Sequence, residues 1–111
     1  MFGLIKGAAR GIGRRESGRS QDGRDGVQIR FVEWGAGHDA GPVRVKAGRP
    51  VLLIFQRLDT DPRCDCVAIP ALGRLSTLSR RSAVELPPCP VGEYTLCGKD
   101  SVARATLVVE P

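Results

Sequence analysis

Polar and apolar positions alternate along most of this chain with the period of two that marks half-buried strands. In residues 27–34, Val27, Ile29 and Phe31 fall on one side and Gln28 and Arg30 on the other. Residues 43–47 set Val43, Val45 and Ala47 against Arg44 and Lys46. Residues 51–55, V-L-L-I-F, are continuously apolar and predict a central strand covered on both faces. Further strands are predicted over 64–69, 75–79 (short, an edge or a connection), 82–86, 94–97 and 105–109. Turns rich in Gly, Pro and Asp separate them. Seven to eight short strands with turns every eight to twelve residues predict an all-β, Greek-key β-sandwich. Trp34 and Phe55 are expected in its core. Tyr94, after Pro-Val-Gly-Glu, is expected to anchor a corner by bonding its hydroxyl to backbone.

The pattern fails before residue 27. Of the 17 Lys+Arg and 12 Asp+Glu, six and three lie in residues 1–26, and the remainder of the chain is near charge balance. Residues 4–13, L-I-K-G-A-A-R-G-I-G, imitate a dinucleotide-binding glycine turn. That turn requires a packed helix behind it, and R-R-E-S-G-R-S-Q-D-G-R-D-G is too polar to supply one. Residues 1–26 therefore read as a disordered basic leader and 27–111 as the sandwich domain. No aromatics interleave with the leader's arginines, so no specific nucleic-acid site is expected. No apolar run is long enough for a transmembrane segment. Lys6 and Arg10 interrupt any signal-peptide core, so the chain as written is expected in the cytoplasm.

The chemistry centres on four cysteines: Cys64, Cys66, Cys89 and Cys97. On one strand Cys64 and Cys66 would project to the same face. With Cys97 at the same end of the sandwich, they form a thiolate set suited to Cu(I) or, with a further ligand, Zn²⁺. Asp65 becomes a ligand candidate only in the opposite register. His38, the only histidine, lies in a loop and reads as solvated, with ligation the lesser alternative. Cys89 is expected at the far end, ~15 Å away at ~3.3 Å per residue. Two other readings of the thiols stay open: buried cysteines acting as small hydrophobes, or a Cys97 disulfide to Cys64 or Cys66. With one histidine and only the initiator methionine, the chain cannot build the His₂Cys set with axial Met of blue copper. No nucleophile–base pair is spaced for catalysis, so no enzyme is expected.

The order of blocks carries a resemblance. V-R-V-K-A-G-R-P-V at 43–51 comes first, then D-T-D-P at 59–62 and V-A-I-P-A-L-G at 67–73. V-E-L-P-P at 84–88 and G-E-Y-T-L-C-G at 92–98 complete the series. Together these resemble a small bacterial cupredoxin-like domain, a sandwich of the plastocyanin and azurin type. The resemblance implies copper at one end, held by Cys97 with Gly98 behind it, and an upstream ligand at Cys64 or Asp65. It also implies a heavy-metal transporter or other metal-handling protein as partner, and an extracytoplasmic or membrane-associated setting. The loop departs from the family, with Lys99 and Ser101 where members carry methionine or histidine. The expected function is metal handling, with copper as cofactor; a metal-free structural or partner-binding domain is the alternative.

Overall fold

The computed structural model describes residues 20–22 and 26–111. The glycine-rich run 4–13 and most of the basic leader lie outside the described residues. Nine strands are present among those described: β1 (Ser20–Asp22), β2 (Gln28–Trp34), β3 (Pro42–Lys46), β4 (Val51–Arg57), β5 (Cys66–Ile69), β6 (Arg74–Thr77), β7 (Arg81–Leu86), β8 (Gly92–Cys97) and β9 (Ala103–Glu110). Two 3₁₀ turns, η1 (Pro62–Cys64) and η2 (Pro70–Leu72), flank β5. The fold is all-β, as the alternation predicts. Its two sheets have the orders β1-β2-β4-β7 (sheet A) and β3-β9-β8-β5-β6 (sheet B). Most pairs are antiparallel, but β2 runs parallel to β4 and β3 parallel to β9.

Each sheet turns one set of alternate residues toward the other. Val51, Leu53 and Phe55 of β4 meet Val43 and Val45 of β3 and Leu107 and Val109 of β9 in one continuous core. Trp34 and Phe55 pack edge to face, with ring centroids 5.2 Å apart and planes at 87°, the arrangement favoured by the ring quadrupoles. Both are fully buried, as expected. Pro42 opens β3, an edge strand, where a missing N–H leaves no ladder bond broken. The Ala47–Pro50 turn passes through Gly48 at φ 85°, a conformation that favours glycine.

The structure corrects three expectations. In β2 the buried side is Gln28, Val32 and Trp34, while Ile29 and Phe31 lie half-buried on the outer face. Gln28 holds the inner position by bonding: its amide nitrogen donates to the Lys46 carbonyl (2.9 Å) and the Arg49 carbonyl (3.3 Å). Its amide oxygen accepts from the Lys46 N–H at 2.6 Å. The second correction concerns β4, whose outer residues Leu52 and Ile54 are only half-buried. The third is that β5 begins at Cys66, because Cys64 belongs to η1.

Tyr94 behaves as expected, donating its hydroxyl to the Pro90 carbonyl at 2.7 Å. Gln28→Leu keeps the volume but strands the Lys46 N–H and carbonyl. Urea unfolding should show a loss of about 2–3 kcal/mol, with an unchanged m-value.

Candidate metal-binding end

Strand polarity gathers the candidate residues at one end of the molecule. The carboxyl ends of β2, β4 and β8 lie there with the amino ends of β5, β7 and β9, by their register. Cys64, Cys66, Cys97, Asp65 and His38 all belong to this end. Cys89 belongs to the other, where its thiol donates to the Pro87 carbonyl at 3.2 Å.

The turn η1 decides where Cys64 points. Asp61 caps it, its carboxylate accepting from the Arg63 N–H at 2.9 Å, and Pro62 fills the first position. Both residues suit a helical start. The Cys64 N–H then donates to the Asp61 carbonyl at 2.9 Å. This winds Cys64 off the strand and into the core, where it is fully buried. In β5, Val67 and Ile69 face the core, so Cys66 and Ala68 face outward, half-buried. Cys64 and Cys66 therefore lie on opposite sides of sheet B, not on the shared face that one continuous strand would give.

Cys97 is the register partner of Ala68. Residues directly opposite in an antiparallel pair share a face, so Cys97 falls on the outer side with Ala68, and Cys66 is its diagonal neighbour. Such diagonals place Cα atoms ~7–8 Å apart, within reach of two thiolates on one ion. The pairing of β8 with β9 shifts here: Leu96 pairs with Ala105, but Cys97 pairs with Ala103. This bulge releases Arg104 from the ladder.

Arg104 then organises the loop after Cys97. Its guanidinium, 6% exposed, donates to the two Asp100 carboxylate oxygens at 2.7 and 3.1 Å and to the Val102 carbonyl at 3.1 Å. Asp100 also accepts from the Val102 N–H at 3.2 Å. The Lys99 N–H donates to the Arg63 carbonyl at 2.8 Å, docking the loop on η1. Gly98 has no room for a side chain: a Cβ there would meet the Arg104 guanidinium and lie 2.6 Å from the Arg63 carbonyl oxygen. Ser101, where the resemblance would place methionine or histidine, sits at φ 64° and donates its N–H to the Gly98 carbonyl at 3.0 Å.

The two lesser candidates are already engaged. Asp65 faces Lys99 at 3.8 Å, and His38 lies 3.7 Å from Glu33 in a half-exposed loop. Burial pushes the Cys64 thiol up, with Arg104 opposing, and burial also pushes Cys66 up, with Asp65 adding to the rise. All four cysteines are free. Among the described residues, no three His, Cys, Asp or Glu side chains gather closely enough to hold a metal. Register leaves Cys66 and Cys97 on the outer face of sheet B and Cys64 on the core side. Sequence reasoning passed over Asp100, Arg104 and the Asp61–Arg63 pair. The signals were the cap-plus-proline at Asp61-Pro62 and the acid-to-base spacing of Asp100 and Arg104.

No family model and no curated protein matches this chain. Solved structures do. One is a copper binding protein in its apo form, determined in solution by NMR. It has a TM-score of 0.66 and 22% identity, over 84% of this chain and 97% of that one. Another is the metal-binding domain of the Cu(I)-exporting P-type ATPase CopA of Streptococcus pneumoniae, crystallised with Cu(I). It has a TM-score of 0.71 and 14% identity, over 89% of this chain and all of that one. At these identities the likeness is one of fold.

The Arg104 guanidinium holds the Asp100 carboxyl at about 2, and Arg63 does the same for Asp61. An unfolded aspartate titrates near about 3.9. Folded-state pKa values below the unfolded ones contribute stability that is complete above about pH 4 and lost as pH falls toward about 2. Thermal melts between pH 5 and 2 should show this loss. Asp100→Asn should flatten the acid limb while lowering the neutral-pH Tm.

Proposed function

We propose that this chain is a cupredoxin-type Greek-key module that binds Cu(I) through Cys97 and Cys66 and handles the metal without catalysing a reaction. The observation that carries the reading is the register of Cys97 beside Ala68, which sets two thiols as diagonal neighbours on one face. Cu(I) is the ion such a soft, sparse donor set suits. Bound there, it would be a transferable ion rather than a redox centre, because the imidazole pair that tunes blue copper is missing. The cupredoxin assignment draws on the block order in the sequence and on a chain that crosses repeatedly between two sheets: β1, β2, β4 and β7 in one, β3, β5, β6, β8 and β9 in the other. The names of the two structural relatives, a copper binding protein and a Cu(I) exporter's domain, favour the same ion. They also favour a metal transporter or another metal-handling protein as exchange partner. No helix among the described residues is long and apolar enough to cross a membrane.

A metal-free, partner-binding module is the second reading. One observation favours it: among the described residues no three His, Cys, Asp or Glu side chains gather closely enough to hold a metal.

An anaerobic Cu(I) titration against a competing chelator, followed by native mass spectrometry, separates the two readings. One copper per chain is expected, lost in Cys97→Ser and in Cys66→Ser and retained in Cys64→Ser and Cys89→Ser. No bound copper, with all four thiols free to titrate, would leave the metal-free reading.

A further inference from the structure

Three buried side-chain atoms among the described residues lack a hydrogen-bond partner: Trp34 Nε1, Arg57 Nε and Arg104 Nε. Each is a donor, since neither an indole nor a guanidinium accepts a hydrogen bond. All three belong to the end of the sandwich that carries Cys97: Trp34 closes β2, Arg57 closes β4 and Arg104 stands in the bulge of β9. A buried donor without a partner forfeits the bond that it made in water.

Trp34 and Arg57 are neighbours. They are register partners in the parallel pair of β2 and β4. Both stand in the inward phase, Arg57 two residues beyond the buried Phe55 on which the Trp34 ring packs. Arg57 Nη2 donates to the Asp61 carbonyl at 2.7 Å, and the same carbonyl accepts from the Cys64 N–H. Arg104 approaches from the facing sheet, and its charge and that of Arg57 both act on the buried Cys64 thiol. No ion pair among the described residues includes Arg57. The carboxylates of this end are engaged elsewhere. Asp59 accepts from the Ala36 and Asp61 N–H groups, and Asp61 pairs with Arg63. Asp65 faces Lys99, Asp100 holds Arg104, and Glu33 lies beside His38.

We propose that Trp34 Nε1 and Arg57 Nε bind a small inorganic anion, chloride in kind, at this end of the core. Only donors are left over, so the ligand has to be an acceptor. A water would bring two hydrogens that need acceptors of their own, and the buried side chains offer none unpaired. An anion accepts from each donor and offsets the half-buried guanidinium charge, which would otherwise stand uncompensated. Trp34, Phe55 and Cys64 are fully buried, and packing at core density suits a monatomic ion better than a tetrahedral oxyanion. The inference does not depend on whether Cys66 and Cys97 bind copper.

The chain has one tryptophan, so a proton–nitrogen NMR spectrum of the full chain carries a single indole peak. The protein is dialysed into sodium gluconate and titrated with sodium chloride at constant ionic strength. The Trp34 indole and Arg57 Nε–H peaks are expected to shift together along one saturating curve. Arg57→Lys keeps the charge and removes the Nε–H. It should weaken the chloride affinity read at the indole ~10-fold or more, the loss of one charge-assisted bond. Arg80→Gln, which removes an exposed arginine of the same end, should leave the curve unchanged. An indole peak insensitive to chloride would overturn the proposal. So would a linear drift shared by the backbone amides, or a curve unchanged in Arg57→Lys; either would mean an adventitious ion only. Cross-relaxation from the indole N–H to water that persists at saturating chloride would overturn it too, giving the position to a water.

Discussion

The end of the molecule that carries Cys97 depends on one close approach. Gly98 brings its backbone against both the Arg63 carbonyl and the Arg104 guanidinium, and no side chain fits between them. Because that contact is possible, the loop after Cys97 lies on η1. Arg104, freed from the ladder by the bulge at Cys97, turns in to hold Asp100. The loop is thus ordered by an ion pair from its own far side and by a backbone bond to a turn distant in sequence. Cys97 immediately precedes this loop, and these contacts fix its neighbours.

The same end shows why two cysteines two residues apart have separate fates. A 3₁₀ turn advances the chain by a different angle from a strand, so a side chain placed in the turn leaves the period-two pattern. Cys64 is carried into the core and behaves as a small hydrophobe, with burial raising its thiol. Cys66, two residues on, opens β5 and faces outward beside the strand that bears Cys97. Burial, with the adjacent Asp65 carboxylate, pushes the Cys66 thiol up, and Lys99 opposes the rise.

Much of the scaffold is legible in the sequence, because alternation is a direct consequence of one buried face. Val43, Val45, Val51, Leu53 and Phe55 are core as their spacing requires. Alternation does not, however, specify which side is buried when polar atoms find partners: Gln28 takes an inner position through three bonds to the 46–49 turn. At the candidate site, the common end of the three cysteines and the remoteness of Cys89 are readable from strand direction. The division between Cys64 and Cys66 hangs on Asp61-Pro62, a local start signal easily overridden by the apolar run behind it. The burial of Arg104 is not readable at all, since it follows from a bulge created by the register of two strands.

The central claim is a two-thiolate ion site on the outer face of sheet B, and X-ray absorption at the copper edge of the Cu(I)-loaded protein tests it most directly. The account predicts a first shell of two sulfur atoms and no nitrogen, identical in the wild type and in Cys64→Ser. A three-sulfur shell that falls to two in Cys64→Ser would contradict it, because Cys64 would then have to leave the core and η1 unwind to reach the metal.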